Sequence, residues 1–173
     1  LPMSMQRTLS FLPLDVDPEA KINAEQSTEW RKQMWRDVLP DVPKYLLLGK
    51  GYAINPGEMQ IASTIAGFHG GSTLEGTELA SDFHNGPLST IIPLGLPGVV
   101  AVVWLFAASI RVLSSNYRYG DPARRQLNAF FLAYYIAKVL LFFVIFGSLY
   151  TDLFTFTGLI ALNISLNGGV AKK

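Results

Sequence analysis

The sequence of 173 residues contains no cysteine and only two histidines. The absence of cysteine excludes disulfides, thiolate metal sites and a cysteine nucleophile within these residues. The sequence also has no internal repeat and no basic patch interleaved with aromatic residues, so nothing in it indicates a nucleic-acid partner. Half of the residues are hydrophobic, and the mean hydropathy is +0.29. This composition is too apolar for an ordinary soluble domain and indicates an integral membrane protein.

Charge is missing from long stretches of the C-terminal half. Residues 91–110 carry no charged side chain, and a helix of about 20 residues crosses the roughly 30 Å of hydrocarbon in a bilayer. A second apolar run contains one charge, Lys138, and a third run is shorter. We therefore predict an all-α integral membrane protein fragment with two to three transmembrane helices. Their approximate bounds are residues 87–112, 127–150 and 152–167.

The distribution of charge predicts the orientation of these helices. Residues 1–90 carry seven basic and eleven acidic side chains, whereas the predicted loop 111–126 carries four arginines and one aspartate. Short arginine-rich loops stay in the cytoplasm. We predict a bacterial inner membrane protein whose residues 1–90 form a partly helical periplasmic loop and whose C-terminus is cytoplasmic. Since no signal sequence precedes this loop, we expect the chain to be the C-terminal piece of a longer polytopic protein.

The predicted periplasmic loop contains one clear helix, over residues of about 18–39. Its start has a capping aspartate, Asp17, followed by proline at the first helical position. On this helix Arg31 and Trp35 are four residues apart and share a face. Further along, the sequence LLLGKGY lacks the spacing of a phosphate-binding loop. We interpret GKGY as a turn, with Lys50 lying near a bound anion as the alternative.

His84 stands just before the first transmembrane helix. Two prolines and two glycines interrupt residues 93–98, so a helix long enough to cross must begin near Pro87, with Asn85 or Gly86 as its cap. His84 then lies at the outer N-terminus of this helix, where partial positive charge favours an anion and disfavours the imidazolium. A neutral histidine beside a bound phosphate is suited to act as a general base.

The order of three motifs resembles the C-terminal part of the O-antigen ligase and polymerase family. These motifs are STEWRKQMW, then PKYLLLGKGY, then FHNGPLSTIIPLGLPG at the opening of a membrane helix. Members of that family are bacterial inner-membrane glycosyltransferases of about a dozen helices with one large periplasmic loop. The family's arginine and tryptophan fall on Arg31 and Trp35, and its loop histidine and asparagine fall on His84 and Asn85. Its glycine pair falls on Gly95 and Gly98.

The resemblance implies transfer of a glycan from undecaprenyl diphosphate to an acceptor hydroxyl on a glycan or lipid, without a metal or other cofactor. In that reaction Arg31 would hold the diphosphate, because a guanidinium offers two parallel donors to phosphate oxygens. His84 would take the proton from the attacking hydroxyl. Trp35 would offer a flat face to a sugar ring or to the arginine, and Asn85 would cap the helix or orient a sugar. The implied partners are therefore the lipid-linked donor, the acceptor and membrane lipids.

Other interpretations remain open from the sequence. An arginine and a tryptophan at helical spacing also form surface stacking pairs, and His84 could be an ordinary loop residue. A metal site built from His69, His84 and the acids at 75, 78 and 82 fits no standard spacing, and we take His69 as a loop residue. The protein could be a ligase, a polymerase of the same family, or a non-catalytic membrane scaffold whose outer loop binds a partner.

Lys138 is the one charge inside the second apolar run. An unpaired ammonium near the middle of a membrane helix costs about 2.5–3.5 kcal/mol on insertion scales. We predict that Lys138 faces the bundle and pairs with an acid or a carbonyl on a helix outside this sequence. The alternative is a tilted helix that brings Lys138 nearer an interface.

Overall fold

A computed structural model describes residues 2, 5–6, 17–52, 60, 64, 83–144 and 147–172. All regular secondary structure in these residues is helical, and three helices are long and apolar enough to cross a membrane. The predicted class, an all-α membrane protein, is therefore confirmed. The chain divides into two compact units, Leu1–Pro40 and Asp41–Lys173, and each is described by itself.

The first unit contains helix α1, Pro18–Val38, close to the predicted 18–39. Asp17 caps it as predicted, since its Oδ1 accepts a hydrogen bond of 2.9 Å from the backbone N–H of Glu19. The helix is polar, with an exposed ion pair of 2.6 Å between Lys32 and Glu29. A 3₁₀ turn, Leu39–Asp41, follows it.

The second unit is built on three long helices, of which the middle one in the chain runs antiparallel to the other two. After the short helix α2, Val42–Tyr45, come α3, Gly86–Tyr119, α4, Arg125–Val144, and α5, Leu149–Asn167, with a 3₁₀ turn, Pro122–Arg124, before α4. At one end of the bundle α3 and α5 begin and α4 ends, and we call this the Asn85 end. At the opposite end, the Asn116 end, α3 and α5 terminate and α4 begins.

Aromatic side chains fill the centre of the three-helix bundle. The ring of Phe106 on α3 lies 4.6 Å from that of Phe156 on α5, measured between centroids, and 5.6 Å from that of Phe142 on α4. Tyr135 on α4 completes the cluster, 5.4 Å from Phe156. All four side chains are buried. The contacts of Phe106 with Phe142 and of Tyr135 with Phe156 are edge-to-face, and such contacts add about 0.5–1.5 kcal/mol each beyond the area they bury. Together the four rings bring the three helices into contact.

The observed helix bounds correct two predicted boundaries. Helix α3 continues to Tyr119, so Arg111 and Arg118 lie on the helix and not in the predicted loop 111–126. Charged side chains mark where a helix leaves the membrane, but they do not end it, and the helix stops only at Gly120. Helix α4 ends at Val144 instead of residue 150.

The third helix also begins earlier than the predicted residue 152. It starts at Leu149 with Ser148 as its N-cap residue. Gly147 and Ser148 precede it outside any helix, and hydropathy does not distinguish such small residues from the helices that flank them.

Lys138 finds its partner within this chain, which corrects the prediction of a partner on a helix outside it. Its Nζ lies 2.6 Å from Oδ1 of Asp152, in the first turn of α5. The expectation that Lys138 faces the bundle and pairs with an acid is thereby confirmed, while the location of that acid is corrected. Lys138 is also six residues from the end of α4, and the pair therefore lies toward the Asn85 end.

Asparagines from all three long helices form a hydrogen-bonded cluster at the Asn116 end. Asn116 Nδ2 donates to Asn163 Oδ1 at 2.8 Å, and Asn163 Nδ2 donates to Asn128 Oδ1 at 2.9 Å. Asn167 joins the cluster through Asn128. The backbone N–H of Ala171, beyond α5, donates to Asn116 Oδ1 at 2.7 Å. Hydrogen bonds between membrane helices hold them in one register, so this cluster fixes one end of the bundle.

Candidate functional site

Asn85 starts helix α3 by capping it. Its side-chain Oδ1 accepts from the backbone N–H of Leu88 at 3.0 Å, and its carbonyl accepts from the N–H of Ser89 at 2.8 Å. Of the two predicted caps, Asn85 and Gly86, the structure shows Asn85. Capping satisfies a donor that an apolar environment would otherwise leave unpaired. The side-chain oxygen of Asn85 is thus engaged in the cap.

The backbone of His84 is held in the left-handed region, with φ at +46°. Among the described residues it is the one non-glycine with a positive φ. Such a conformation costs about 1–3 kcal/mol and persists where the surroundings impose it, often at functional sites. The strain lies in the residue that directly precedes the cap of α3, and the His84 side chain is half-buried. The structure therefore places His84 directly before the first turn of a membrane helix, with its backbone in a strained conformation.

A second helix begins beside the first at the Asn85 end. The N–H of Leu149, the first residue of α5, donates to Ser89 Oγ at 2.9 Å, and Ser89 Oγ donates to the carbonyl of Gly86 at 2.9 Å. A Cβ on Gly86 would lie 2.4 Å from the carbonyl oxygen of Phe142, so α4 approaches here as well. Two helix N-termini, each with partial positive charge, therefore meet at this end.

Helix α3 is broken near its start. Gly95 has φ +63° and ψ −165°, and prolines stand on either side of it at 93 and 97. Since proline lacks an N–H and clashes with the preceding turn, the helical hydrogen bonds fail over this stretch. The interruption that the sequence predicts at residues 93–98 is thus present, and it takes the form of an unwound turn at Gly95.

Backbone groups from the segment after α2 replace the missing hydrogen bonds. The N–H of Lys50 donates to the carbonyl of Ile92 at 2.7 Å, and the N–H of Gly51 donates to that of Pro93 at 2.8 Å. In return, the N–H of Leu96 donates to the carbonyl of Leu46 at 2.8 Å. The GKGY sequence is therefore more than the predicted turn, because it completes a broken membrane helix. Irregular backbone at membrane depth is tolerated where protein satisfies it in this way.

Two glycines allow the segment and the helix to approach this closely. A Cβ on Gly49 would lie 2.3 Å from the carbonyl oxygen of Pro93, and a Cβ on Gly95 would lie 2.7 Å from the backbone nitrogen of Gly49. Both glycines also have positive φ. Only glycine meets both requirements, so the contact depends on these two residues.

Arg31 and Trp35 lie on α1, in the first unit. They are four residues apart on one face, and both are half-buried. Arg31 Nη2 donates to Ser27 Oγ at 3.3 Å, one turn earlier on the helix. The structure thus places Arg31 with Trp35 on one helix and His84 with Asn85 at the start of another. The two pairs belong to different units.

The metal site considered from the sequence involves residues outside the described part of the chain, namely His69, Glu75, Glu78 and Asp82. Among the residues that the structure does describe, no three histidine, aspartate or glutamate side chains are grouped to hold a metal ion.

No pattern in the sequence indicates the contacts that Ser89, Gly49 and Leu46 make at this end. Each joins residues more than 40 positions apart, and no local pattern encodes such a pairing. No family model, curated protein or solved structure matches the chain. Function is therefore inferred from the residues themselves.

Proposed function

We propose that the protein is an O-antigen ligase-like glycosyltransferase of the bacterial inner membrane. It would move a glycan from undecaprenyl diphosphate to an acceptor hydroxyl, such as that of lipid A–core, at the periplasmic face. The observation that carries this proposal is the strained backbone of His84 at the start of a broken membrane helix. The resemblance of the three sequence motifs supplies the reaction.

Electrostatics at the Asn85 end suits a diphosphate substrate. The N-termini of α3 and α5 both lie at this end and carry partial positive charge. The ammonium of Lys138 adds no net charge, because Asp152 neutralises it. An anion is therefore favoured here by the two helix ends, and His84 directly precedes the residue that caps one of them.

The proposed reaction needs a base and an anion-binding group. His84 would take the proton from the acceptor hydroxyl as the oxygen bonds to the anomeric carbon of the donor sugar. The bond from that carbon to the diphosphate oxygen breaks, and undecaprenyl diphosphate leaves with the electron pair. Arg31 would stabilise the negative charge of the leaving group through paired N–H donors. No metal is required in this scheme.

Trp35 and Asn85 have supporting roles in the proposal. Trp35, one turn from Arg31 on α1, would offer an aromatic face to a sugar ring or to the guanidinium. Asn85 Oδ1 accepts from the N–H of Leu88, so its part is to hold the start of α3 and thereby the position of His84. If Asn85 also orients a sugar, its Nδ2 group would make that contact, since Oδ1 is engaged in the cap.

The charges at the Asn116 end support a cytoplasmic location for that end. Four basic side chains and one acidic side chain lie there: Arg118, Arg124, Arg125, Lys172 and Asp121. Positively charged short loops are retained in the cytoplasm. On this basis we propose that the Asn85 end and the residues that precede it are periplasmic, with the C-terminus cytoplasmic.

The proposal is tested in a bacterium that lacks its own O-antigen ligase but makes the lipid-linked donor. The full-length protein is expressed as wild type, Arg31→Ala and the matched control Arg36→Ala, which removes an exposed arginine from the same helix. We expect a glycan ladder on lipid A–core from the wild type and from Arg36→Ala. The ladder should be lost in Arg31→Ala at unchanged protein level.

Other outcomes would replace this proposal with a different function. Longer lipid-linked chains without transfer to lipid A–core would identify a polymerase of the same family. Normal function in both variants would leave Arg31 without a role and would favour a non-catalytic scaffold. The amount of lipid-linked donor is measured in the same cells, so that a missing ladder reflects the enzyme and not its substrate.

A further inference from the structure

Two adjacent leucines stand out from the surface of the second unit, in segment 46–52 directly after α2. Leu47 is 71% exposed, and Leu48, at 86%, is the most exposed large hydrophobic side chain in the described part of the chain. Contiguous exposed apolar surface marks a site of contact with protein or membrane. The segment is bonded to the broken turn of α3, and its register on that helix indicates which of the two it contacts.

The register of segment 46–52 on α3 gives its depth in the bilayer. The N–H of Leu96 donates to the carbonyl of Leu46 at 2.8 Å. Arg111 is the first charged residue of α3 and is exposed. Because a charge within the hydrocarbon is costly, Arg111 marks the limit of the core at the Asn116 end. From Arg111 to Leu96 the helix rises by about 22 Å, and the core is roughly 30 Å thick. The leucines therefore lie about 8 Å inside its limit at the Asn85 end.

The backbone of segment 46–52 is suited to an apolar environment. Within the hydrocarbon an unpaired N–H or carbonyl is costly, so irregular backbone there must find partners in the protein. The N–H of Gly49 donates to the carbonyl of Tyr45 at 2.9 Å, and those of Lys50 and Gly51 donate to carbonyls of α3. A loop in water needs no such pairing, because the solvent supplies it. The segment thus meets the condition for lying inside a membrane.

Residues typical of the membrane–water interface stand at both ends of this segment. Lys44 and Tyr45 precede the leucines, and Lys50 and Tyr52 follow them. The Nζ of Lys44 lies 4.9 Å from the centre of the Tyr45 ring. The backbone of Lys50 is bonded to Ile92, which is nearer the start of α3 and therefore nearer the Asn85 surface. The chain thus goes down after Lys44 and has risen again by Lys50.

We propose that segment 46–52 is a re-entrant element that enters and leaves the membrane on the Asn85 side. Leu47 and Leu48 insert among the acyl chains of that leaflet, so the partner of this surface is lipid hydrocarbon and no particular headgroup is required. The residues that precede α3 are then not wholly aqueous, since one stretch of them lies in the bilayer. The proposal rests on the span of α3 and is independent of the proposed glycosyl transfer.

The test places a nitroxide spin label at Leu48→Cys in the full-length protein, reconstituted in phospholipid vesicles. The sequence contains no cysteine, so the label reports a single position in it. Collision rates are measured with oxygen, which concentrates in hydrocarbon, and with a nickel chelate, which stays in water. Val100→Cys, in the uncharged run of α3, is the lipid reference, and Ala123→Cys, in the 3₁₀ turn before α4, is the aqueous reference; both positions are exposed.

We expect the label at Leu48→Cys to collide often with oxygen and rarely with nickel, as at Val100→Cys and opposite to Ala123→Cys. Its depth should agree with that of a label at Leu96→Cys to within about one helical turn, 5.4 Å. Frequent collisions with nickel would place Leu48 in water and overturn the proposal. Rare collisions with both reagents would also overturn it, because protein would then cover the leucines. Leu47→Cys should report the same depth, and it keeps the test decisive if Leu48→Cys does not fold.

Discussion

Lys138 and Asp152 form an ion pair that joins α4 to α5, with Nζ and Oδ1 separated by 2.6 Å. The second carboxylate oxygen of Asp152 accepts from the N–H of Ser148 at 3.2 Å. The side chains of the pair are 25% and 15% exposed, so both charges are largely removed from water. The pair therefore neutralises a lysine on an apolar helix and also holds the start of the next helix.

Removal of one partner of this pair should cost more than removal of both. Lys138→Met leaves an unpaired carboxylate, and Asp152→Asn leaves an unpaired ammonium. We expect each to lower the free energy of unfolding by about 1–3 kcal/mol, less than for a fully buried pair because of the remaining exposure. The double variant should be more stable than the sum of the single effects predicts. Equilibrium unfolding in detergent measures this, and strictly additive costs would show that the two charges do not interact.

The contact between Gly49 and Gly95 should tolerate no side chain. Gly49→Ala places a methyl group 2.3 Å from the carbonyl oxygen of Pro93, and the residue already has positive φ. We expect the unfolding free energy to fall by at least about 2 kcal/mol. One part of this cost comes from the left-handed backbone, and the other comes from displacing the segment around residue 49. Gly158→Ala is the matched control, because a Cβ there meets nothing within 4 Å. Equal effects of the two substitutions on thermal stability would contradict the described contact.

The asparagine cluster should stabilise the Asn116 end. Asn163→Leu retains the bulk of a fully buried side chain but removes the hydrogen bonds to Asn116 and Asn128. Hydrogen bonds between membrane helices contribute about 0.6 kcal/mol on average and up to about 1.7, so we expect a cost of about 1–2 kcal/mol. Thr157→Val removes a hydroxyl bonded only to its own helix and should change stability little. An unchanged free energy of unfolding in Asn163→Leu would show that the cluster contributes no stability.

Substitution at Asn85 distinguishes capping from sugar binding. Asn85→Ala removes the oxygen that accepts from the N–H of Leu88 and should cost about 0.5–2 kcal/mol. Asn85→Asp keeps an oxygen in that position and should restore stability. If Asn85 acts only as a cap, Asn85→Asp should also restore activity in the ladder assay. Full stability without activity in Asn85→Asp would assign the amide nitrogen a direct role with substrate.

The sequence predicted those features that depend on local physical chemistry. Residues 91–110 could be recognised as a membrane span because they carry no charge, and the cap could be narrowed to Asn85 or Gly86 because Pro87 suits the first turn of a helix. The helix at 18–39 was recognisable from its capping aspartate and first-turn proline. Such features are decided within a few residues, and the structure has them at or near the predicted positions.

Features that depend on tertiary contacts could not be predicted in this way. The partner of Lys138 lies 14 residues away on the next helix, and hydropathy does not reveal where that helix begins. No local pattern marks Asn163 as part of a cluster, since its partners come from two other helices. The end of α3 at Tyr119 was placed too early because charge marks the membrane boundary and not the helix terminus.

The central claim is that the imidazole of His84 takes part in glycan transfer. The decisive comparison is between wild type and His84→Gly, because glycine adopts the backbone conformation of this residue without strain. Both proteins are purified at full length and assayed for transfer from undecaprenyl diphosphate-linked glycan to lipid A–core. His84→Gly should be no less stable than wild type, yet its rate should fall about 10²–10⁴-fold, the usual contribution of a general base. Transfer at the wild-type rate by His84→Gly would show that His84 only shapes the loop before α3, and would contradict the claim.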